Sequence, residues 1–301
     1  MNKVSILIPC YNEEQTIVQV VEDCKKYVPS ADIYVYDNNS TDKTVELAQK
    51  AGAVVRKEPR QGKGNVVRRM FADIDSDVYV MIDGHATYDI STIPSLVETL
   101  VHENLDMVIG TREETEVECY RTGHRSGNKL LTKIVEIFLG HKLQDMLSGL
   151  RVFSKRYVKT FPAESKGFEI ETELTVYALS RRLPIKEVPT KYFSRPEGSF
   201  SKLSTYKDGI RILRTIALLI KEERPLLFFS LIACILFITG FILAIPVVIE
   251  YINTGLVPRF PTAILASSLM VCAFLSFLIG LVLDSVVTVK KELSRGNYLK
   301  Y

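Results

Sequence analysis

The chain has 301 residues, with 38 Lys and Arg against 35 Asp and Glu for a net charge of +3, and 24% of its residues are charged. That balance excludes the strongly basic character of a polyanion-binding protein and the acidic bias of a disordered chain, so nucleic acid is not an expected partner. Cys10, Cys24, Cys119, Cys234 and Cys272 lie far apart with no C-x-x-C pair, which excludes a zinc or dithiol centre and leaves five reduced packing residues.

Val4–Ile8 is apolar and partly β-branched, and Glu14–Lys26 carries Ile17, Val20, Val21 and Cys24 at helical spacing, which predicts a strand followed by a helix. A second strand over Ile33–Tyr36 ends at Asp37, a second helix over Asp42–Ala51 closes at Gly52, and Val54–Val55 opens a third strand. A helix starts at Lys63, just after Gly62, and runs through Phe71. Val78–Ile82 then forms a strand running into Asp83, Ile93–Val101 a helix, and Met107–Ile109 a strand ending in Gly110. This alternation predicts an α/β fold with a mostly parallel sheet, in which ligands sit beyond the carboxyl ends of the strands. Tyr11, Asp37, Asp83 and Arg112 fall at those ends and are expected to share one cleft. Farther on, Leu130–Leu139 and Glu169–Arg181 read as helices, and Gly149–Phe153 and Ile185–Tyr192 as strands, with Pro189 marking the last as an edge or bulged strand.

Lys207–Glu223 sets Ile210, Leu213, Ile216, Ala217 and Ile220 on one face, the pattern of a helix lying on an anionic lipid surface or of an ordinary surface helix. Two uncharged runs follow, Leu226–Ile249 and Thr262–Leu283, each long enough for the roughly 20 residues that cross a bilayer. Basic residues flank the pair on the outer sides, from Lys202 to Arg224 before it and from Lys290 to Lys300 after it, while the connection 250–261 holds only Arg259. The positive-inside rule places the head and both termini in the cytosol and a short turn outside, as expected for a multi-pass protein of the plasma membrane. No export signal is read at the N-terminus, where the apolar run Val4–Pro9 is too short. The expected organisation is a head over 1–202, an interface helix over 203–224, two spans within 225–289 and a basic tail over 290–301. No small-x-x-x-small face stands out, which leaves a homo-oligomer open.

The residues at the strand ends carry a resemblance. Pro9-Cys10-Tyr11-Asn12-Glu13, Asp37-Asn38-Asn39-Ser40-Thr41-Asp42, Gly62-Lys63-Gly64 and Asp83-Gly84-His85 resemble, in order, the family 2 glycosyltransferases of GT-A fold. Arg195-Pro196-Glu197-Gly198-Ser199 with Ser201-Lys202-Leu203, followed by a membrane hairpin, resembles the polyprenyl-phosphate branch of that family. The resemblance covers essentially the whole chain and implies transfer of a sugar, with inversion, from a UDP-sugar, glucose or N-acetylglucosamine first, to undecaprenyl phosphate. The product would serve cell-surface glycan assembly through a flippase and an extracytoplasmic glycosyltransferase downstream.

Physical chemistry gives these residues matching tasks. Tyr11 offers a base a flat apolar contact and Asp37 an acceptor for a ring N–H, although Asp37 also suits a cap of the next helix unless Ser40 or Thr41 takes that place. Pro9, Glu13, Asn39 and Gly84 are carried into the nucleotide-sugar set by the motifs they stand in. A leaving diphosphate calls for a hard divalent cation on a carboxylate, and Asp83 is the expected ligand. Here the sequence departs from the branch's Asp-x-Asp-x-Gln, with His85 at the second carboxylate and Thr87 at the glutamine. His85 is either a ligand, which favours Mn²⁺ over Mg²⁺, or a hydrogen bonder to substrate. Asp89 is either a further ligand or a cap of the helix near Ser91.

A lipid phosphate is already ionised and needs positive charge rather than a base, which Arg112, the Arg121/Arg125 pair and Lys202 can supply. The resemblance puts Arg112, one of Arg121 and Arg125, Ser201 and Lys202 at that acceptor phosphate, and Arg195 at the donor diphosphate. Lys63, between two glycines, is expected at the nucleotide phosphates. Asp145 or Glu171 is expected to address the donor sugar, and of Glu169, Glu171 and Glu173 at least one is expected in solvent, since the three cannot share a helix face. Two other readings stand beside this one. A transferase extending a lipid-linked or polymeric glycan is disfavoured by the absence of any tryptophan for a Gln-x-x-Arg-Trp element. An inactive membrane scaffold is suggested only by the missing second aspartate.

Overall fold

The computed structural model describes residues 2–114, 124–140, 143–196 and 205–301. Contacts divide the chain into two compact units, 1–216 with 296–301, and 217–295. The first unit is built on seven strands: β1 (Val4–Cys10), β2 (Asp32–Asp37), β3 (Val54–Lys57), β4 (Val78–Met81), β5 (Met107–Glu114), β6 (Arg151–Ser154) and β7 (Ile185–Tyr192). They lie in the order β3-β2-β1-β4-β6-β5-β7. All neighbours pair in parallel except β6, which runs antiparallel to both β4 and β5. The expected α/β class and mostly parallel sheet are therefore present. β7 is an edge strand, and Pro189 sits in it opposite Thr111 of β5, where its missing N–H costs no ladder bond on the open side.

Alternation along the strands fills two cores, one on each face. Ile6, Ile8, Val80, Val108 and Val152 face α1 (Ile17–Tyr27), α2 (Thr44–Lys50) and α4 (Ile93–His102). Leu7, Met81, Ile109 and Phe153 face α3 (Lys63–Asp73), α6 (Lys155–Thr160) and α7 (Ile170–Ser180). Between α4 and α6 come α5 (His124–Leu139) and the strand pair β5 and β6. The observed β5 runs to Glu114, past the expected stop at Gly110, because β7 continues the ladder beside it through Tyr192. Gly52 closes α2 at φ +85°, a conformation that favours glycine.

α8 (Thr205–Glu223) follows the head. Its buried face is Ile212, Ile216 and Ile220, whereas Ile210 and Leu213 are exposed, which corrects the expected single apolar face. In the second unit, α9 (Pro225–Thr254) and α10 (Phe260–Tyr298) are 30 and 39 residues long, both apolar enough to cross a bilayer. They extend beyond the uncharged runs because charge ends an apolar span without ending a helix. α9 stops at Gly255 in a left-handed cap, so the connection is shorter than the interval 250–261. Ala233, Gly240 and Val247 on α9 and Ala266, Ala273 and Gly280 on α10 are buried, one every seven residues. This is the repeat of left-handed helix packing, and a Cβ on Gly240 would press on the Ala266 carbonyl at 3.1 Å.

Candidate active site

The parallel register of β1 and β2 sets Cys10 beside Asp37. Tyr11 therefore follows one strand end, 37% exposed as a surface for a ring to stack on, next to a buried Asp37. Asp37 accepts from the Ser40 N–H, and Ser40 Oγ accepts from the Asn12 N–H. Neither Ser40 nor Thr41 caps α2: Asp42 accepts from the Thr44 N–H at 3.0 Å instead. Asn12 and Asn39 take left-handed backbone at φ +53° and +67°, holding the two loops open at the strand ends. Glu13 is buried, with its N–H given to Thr44 Oγ1. Pro9 lies inside β1, and Gly84 sits so close to Cys10 that a Cβ would reach Sγ at 2.8 Å.

Asp83 lies just past β4 with both oxygens engaged. Oδ1 meets the Lys63 ammonium at 2.5 Å and Oδ2 lies 3.3 Å from His85 Nε2. The same ammonium meets Glu171 Oε1 at 2.5 Å. Burial by itself would raise the Asp83 carboxyl, but the Lys63 charge and the His85 ring outweigh it and hold it well below the usual carboxylate range. Burial likewise works against the Lys63 charge, and the two carboxylates overcome it, keeping the ammonium protonated well past its ordinary range. His85 Nδ1 pairs with Thr87 Oγ1 at 2.8 Å, which orients the ring with Nε2 toward Asp83. Asp89 caps the turn at Ser91 through the Ser91 N–H at 3.1 Å, the structural one of its two expected roles.

The turn before β6 closes the other side. Because β6 is antiparallel and pairs Arg151 with Met81, its entry residue Gly149 abuts Asp83. A Cβ there would collide with the Asp83 carboxylate. Tyr88 Oη accepts from the Gly149 N–H at 2.7 Å, and Ser148 Oγ donates to the Gly110 carbonyl. The fully buried Arg151 binds the Ser148 carbonyl at 2.9 Å, the Met146 carbonyl and Thr175 Oγ1. Arg112 and Asp145, expected at different substrates, are partners: Nε and Nη2 donate to the two Asp145 oxygens at 2.6 and 2.7 Å. Glu187 in β7 holds the Gln144 and Asp145 N–H groups.

Glu169, Glu171 and Glu173 are all buried, which corrects the expectation that one faces solvent. α7 is enclosed on every side, so its glutamates need not share a face. Glu173 accepts from the Glu164 and Ser165 N–H groups and Glu169 from Lys166 and Gly167. The segment so held presents its carbonyls to the start of α3, where Gly64 and Asn65 N–H donate to Gly167 and Lys166 oxygens at 3.1 and 3.3 Å. A Cβ on Gly62 would strike the Lys166 carbonyl and one on Gly64 the Ser165 carbonyl, which explains the glycines around Lys63.

Arg195 is half-buried beyond the end of β7. Arg121, Ser201 and Lys202, with Cys119, lie outside the described residues, as does the Arg125 side chain. Reading the sequence missed Tyr88, Glu187 and the structural part of Arg151. Only Arg151 carried a signal, a charge inside an otherwise apolar strand. Asp83 and His85 supply one carboxylate and one imidazole, and among the described residues no group of three or more His, Cys, Asp or Glu gathers around a common point. That donor set fits a divalent cation completed by phosphate oxygens and water.

Residues 5–161 match the family model described as Glycosyl transferase family 2. The chain is 34% identical over 83% of its length, and 82% of the relative's, to glycosyltransferase AglJ of Haloferax volcanii. It is 28% identical to the dolichyl-phosphate hexose transferase of the same organism, covering 73% of this chain and 95% of that one. Its fold is shared with glucosyl-3-phosphoglycerate synthase from Mycobacterium tuberculosis, solved with Mn²⁺, UDP-glucose and phosphoglyceric acid, at a TM-score of 0.60, 23% identity and coverage of 73% and 80% of the two chains. The strand-end loops around Asp37 and Asp83, on a sheet of this order, thus belong to an enzyme of GT-A fold, and the chain is a member of glycosyl transferase family 2.

Proposed function

We propose that this glycosyltransferase moves a hexose, with UDP-glucose or UDP-N-acetylglucosamine as donor, onto a polyprenyl phosphate such as undecaprenyl phosphate. The observation that carries the reading is Asp83 at the end of β4, set between Lys63 and His85, with the Tyr11 loop one strand away and the Asp37 loop two strands away. The relative named for a dolichyl-phosphate acceptor supports the lipid half. So do the two spans and the exposed Ile210, Leu213 and Ala217 of α8, a second apolar stripe suited to the lipid interface.

Asp83 and His85 would hold Mn²⁺ or Mg²⁺, which neutralises charge on the leaving diphosphate. Tyr11 stacks on the base and Asp37 receives its ring N–H. Lys63 and Arg195 address the diphosphate. Asp145 holds the Arg112 fork in one orientation by two hydrogen bonds, so that the guanidinium meets the acceptor phosphate without first losing rotamer freedom. Arg125 or Arg121, with Ser201 and Lys202, completes that phosphate site. The ionised phosphate oxygen attacks the anomeric carbon as the nucleoside diphosphate departs from the opposite face, inverting configuration, and no general base is required. The head and both termini lie on the cytosolic side of the plasma membrane, where nucleotide sugars are supplied.

The test is a transfer assay with purified protein, undecaprenyl phosphate, Mn²⁺ or Mg²⁺ and labelled UDP- and GDP-sugars. Label is expected in a mild-acid-labile lipid from one UDP-sugar, reduced at least 100-fold in Asp83→Ala. Intact donor binding with no lipid labelled from any donor would overturn the acceptor assignment in favour of a glycan.

A further inference from the structure

The ammonium of Lys63 is held by Asp83 and Glu171 together and is nearly enclosed, with side-chain exposures of 10%, 15% and 6% for the three residues. Asp83 is also the only carboxylate that the strand-end motif offers a divalent cation. A dication and an ammonium cannot share it at low cost. Two carboxylates and one ammonium leave the pocket with a single negative charge, and a dication added to that set would make a buried pocket net positive. With the ammonium gone, the same two carboxylates balance the dication. Lys63 has the means to leave: its ammonium rides a flexible four-carbon stem, while the backbone beside it stays fixed at the start of α3 by the Lys166 and Gly167 carbonyls.

We propose that Lys63 is a resident counter-charge that excludes the divalent cation from Asp83 until a nucleoside diphosphate draws the ammonium away, so that cation and nucleotide bind cooperatively. Glu171 is the second anchor of the exchange. It keeps the ammonium within reach of Asp83 until the diphosphate arrives, and once the ammonium has left, its charge helps balance the dication. The inference rests on the donor-site reading above and concerns the order of binding rather than the reaction.

Calorimetric titration of the purified full-length protein with MnCl₂, with and without UDP, tests it. Lys63→Met is expected to bind Mn²⁺ without UDP at least tenfold more tightly than the wild type. Glu171→Gln, which leaves Asp83 as the ammonium's sole carboxylate, should move Mn²⁺ affinity the opposite way. Because the coupling is reciprocal, Mn²⁺ should tighten UDP binding by the same factor as UDP tightens Mn²⁺, and the factor should shrink in Lys63→Met. Lys63→Gln provides a second neutral variant should circular dichroism show Lys63→Met unfolded. Equal Mn²⁺ affinities, measured without UDP, in wild type and the neutral variants would overturn the exchange. Loss of UDP binding in every form, wild type included, would instead overturn the donor-site reading beneath it.

Discussion

Asp83 shows what one residue can be asked to do in a buried cleft. Its carboxylate is placed by β4, charged by Lys63, flanked by His85 and bounded by Gly149, which leaves no room for a side chain on that wall. Gly149→Ala should therefore push the carboxylate out of position. A displacement of that order costs about 100-fold in rate, so kcat in the transfer assay should fall by about that factor while the melting temperature changes little. An unchanged kcat would show that the turn before β6 yields freely. The residue types at the site were legible in the sequence, since Tyr11, Asp37, Lys63, Asp83 and His85 all stand in strand-end motifs. Their partners were not. Arg112 and Asp145 are 33 residues apart, and nothing local announces that each is the other's counter-ion.

Among the elements, β6 decides most. Running against its neighbours, it brings its entry turn, rather than its exit, to the carboxyl ends of β4 and β5. The turn is held there by Arg151, a fully buried cation bound to two carbonyls and Thr175. Arg151→Met fills the volume yet leaves those acceptors unpaired, and chemical denaturation should register a loss of about 3 kcal/mol. A loss near zero would mean that water replaces the guanidinium. The sequence indicated a strand here but not its direction, because residue alternation looks alike in either sense. α7 is the complementary case: a rule for isolated helices sent one of its glutamates to solvent, and tertiary enclosure gave all three a backbone or lysine partner.

Across the whole molecule, the chain's far end belongs to the first unit. Tyr298 donates to the fully buried Asp106 at 2.7 Å, across 192 residues of sequence, while Arg156 pairs with the same carboxylate and lies over the Tyr298 ring at 5.2 Å. Tyr298→Phe should destabilise the head by about 1–2 kcal/mol and speed hydrogen exchange over 296–301. The pH dependence has a definite sign. Burial first, and then the hydrogen bond to Asp106, pushes the Tyr298 hydroxyl above its ordinary value of 10. Its contribution to stability is complete below pH 10 and is lost as pH rises beyond it. The melting midpoint should thus fall less steeply above pH 10 in Tyr298→Phe than in wild type, and parallel curves would refute the assignment.

What the sequence determined by itself are the properties written in neighbouring residues. The periods of strands and helices, the charge-free lengths of the two spans and the motifs at strand ends are each confined to a window of a few dozen residues, and each is recognisable there. What only the tertiary structure decided are meetings between distant windows: Lys63 between Asp83 and Glu171, Asp145 on Arg112, β6 inserted antiparallel, the seven-residue match of small side chains on α9 and α10, and Tyr298 on Asp106. The physical reason is that burial and charge pairing are satisfied by whatever the fold brings within a few ångströms, and proximity in space is not encoded by proximity along the chain.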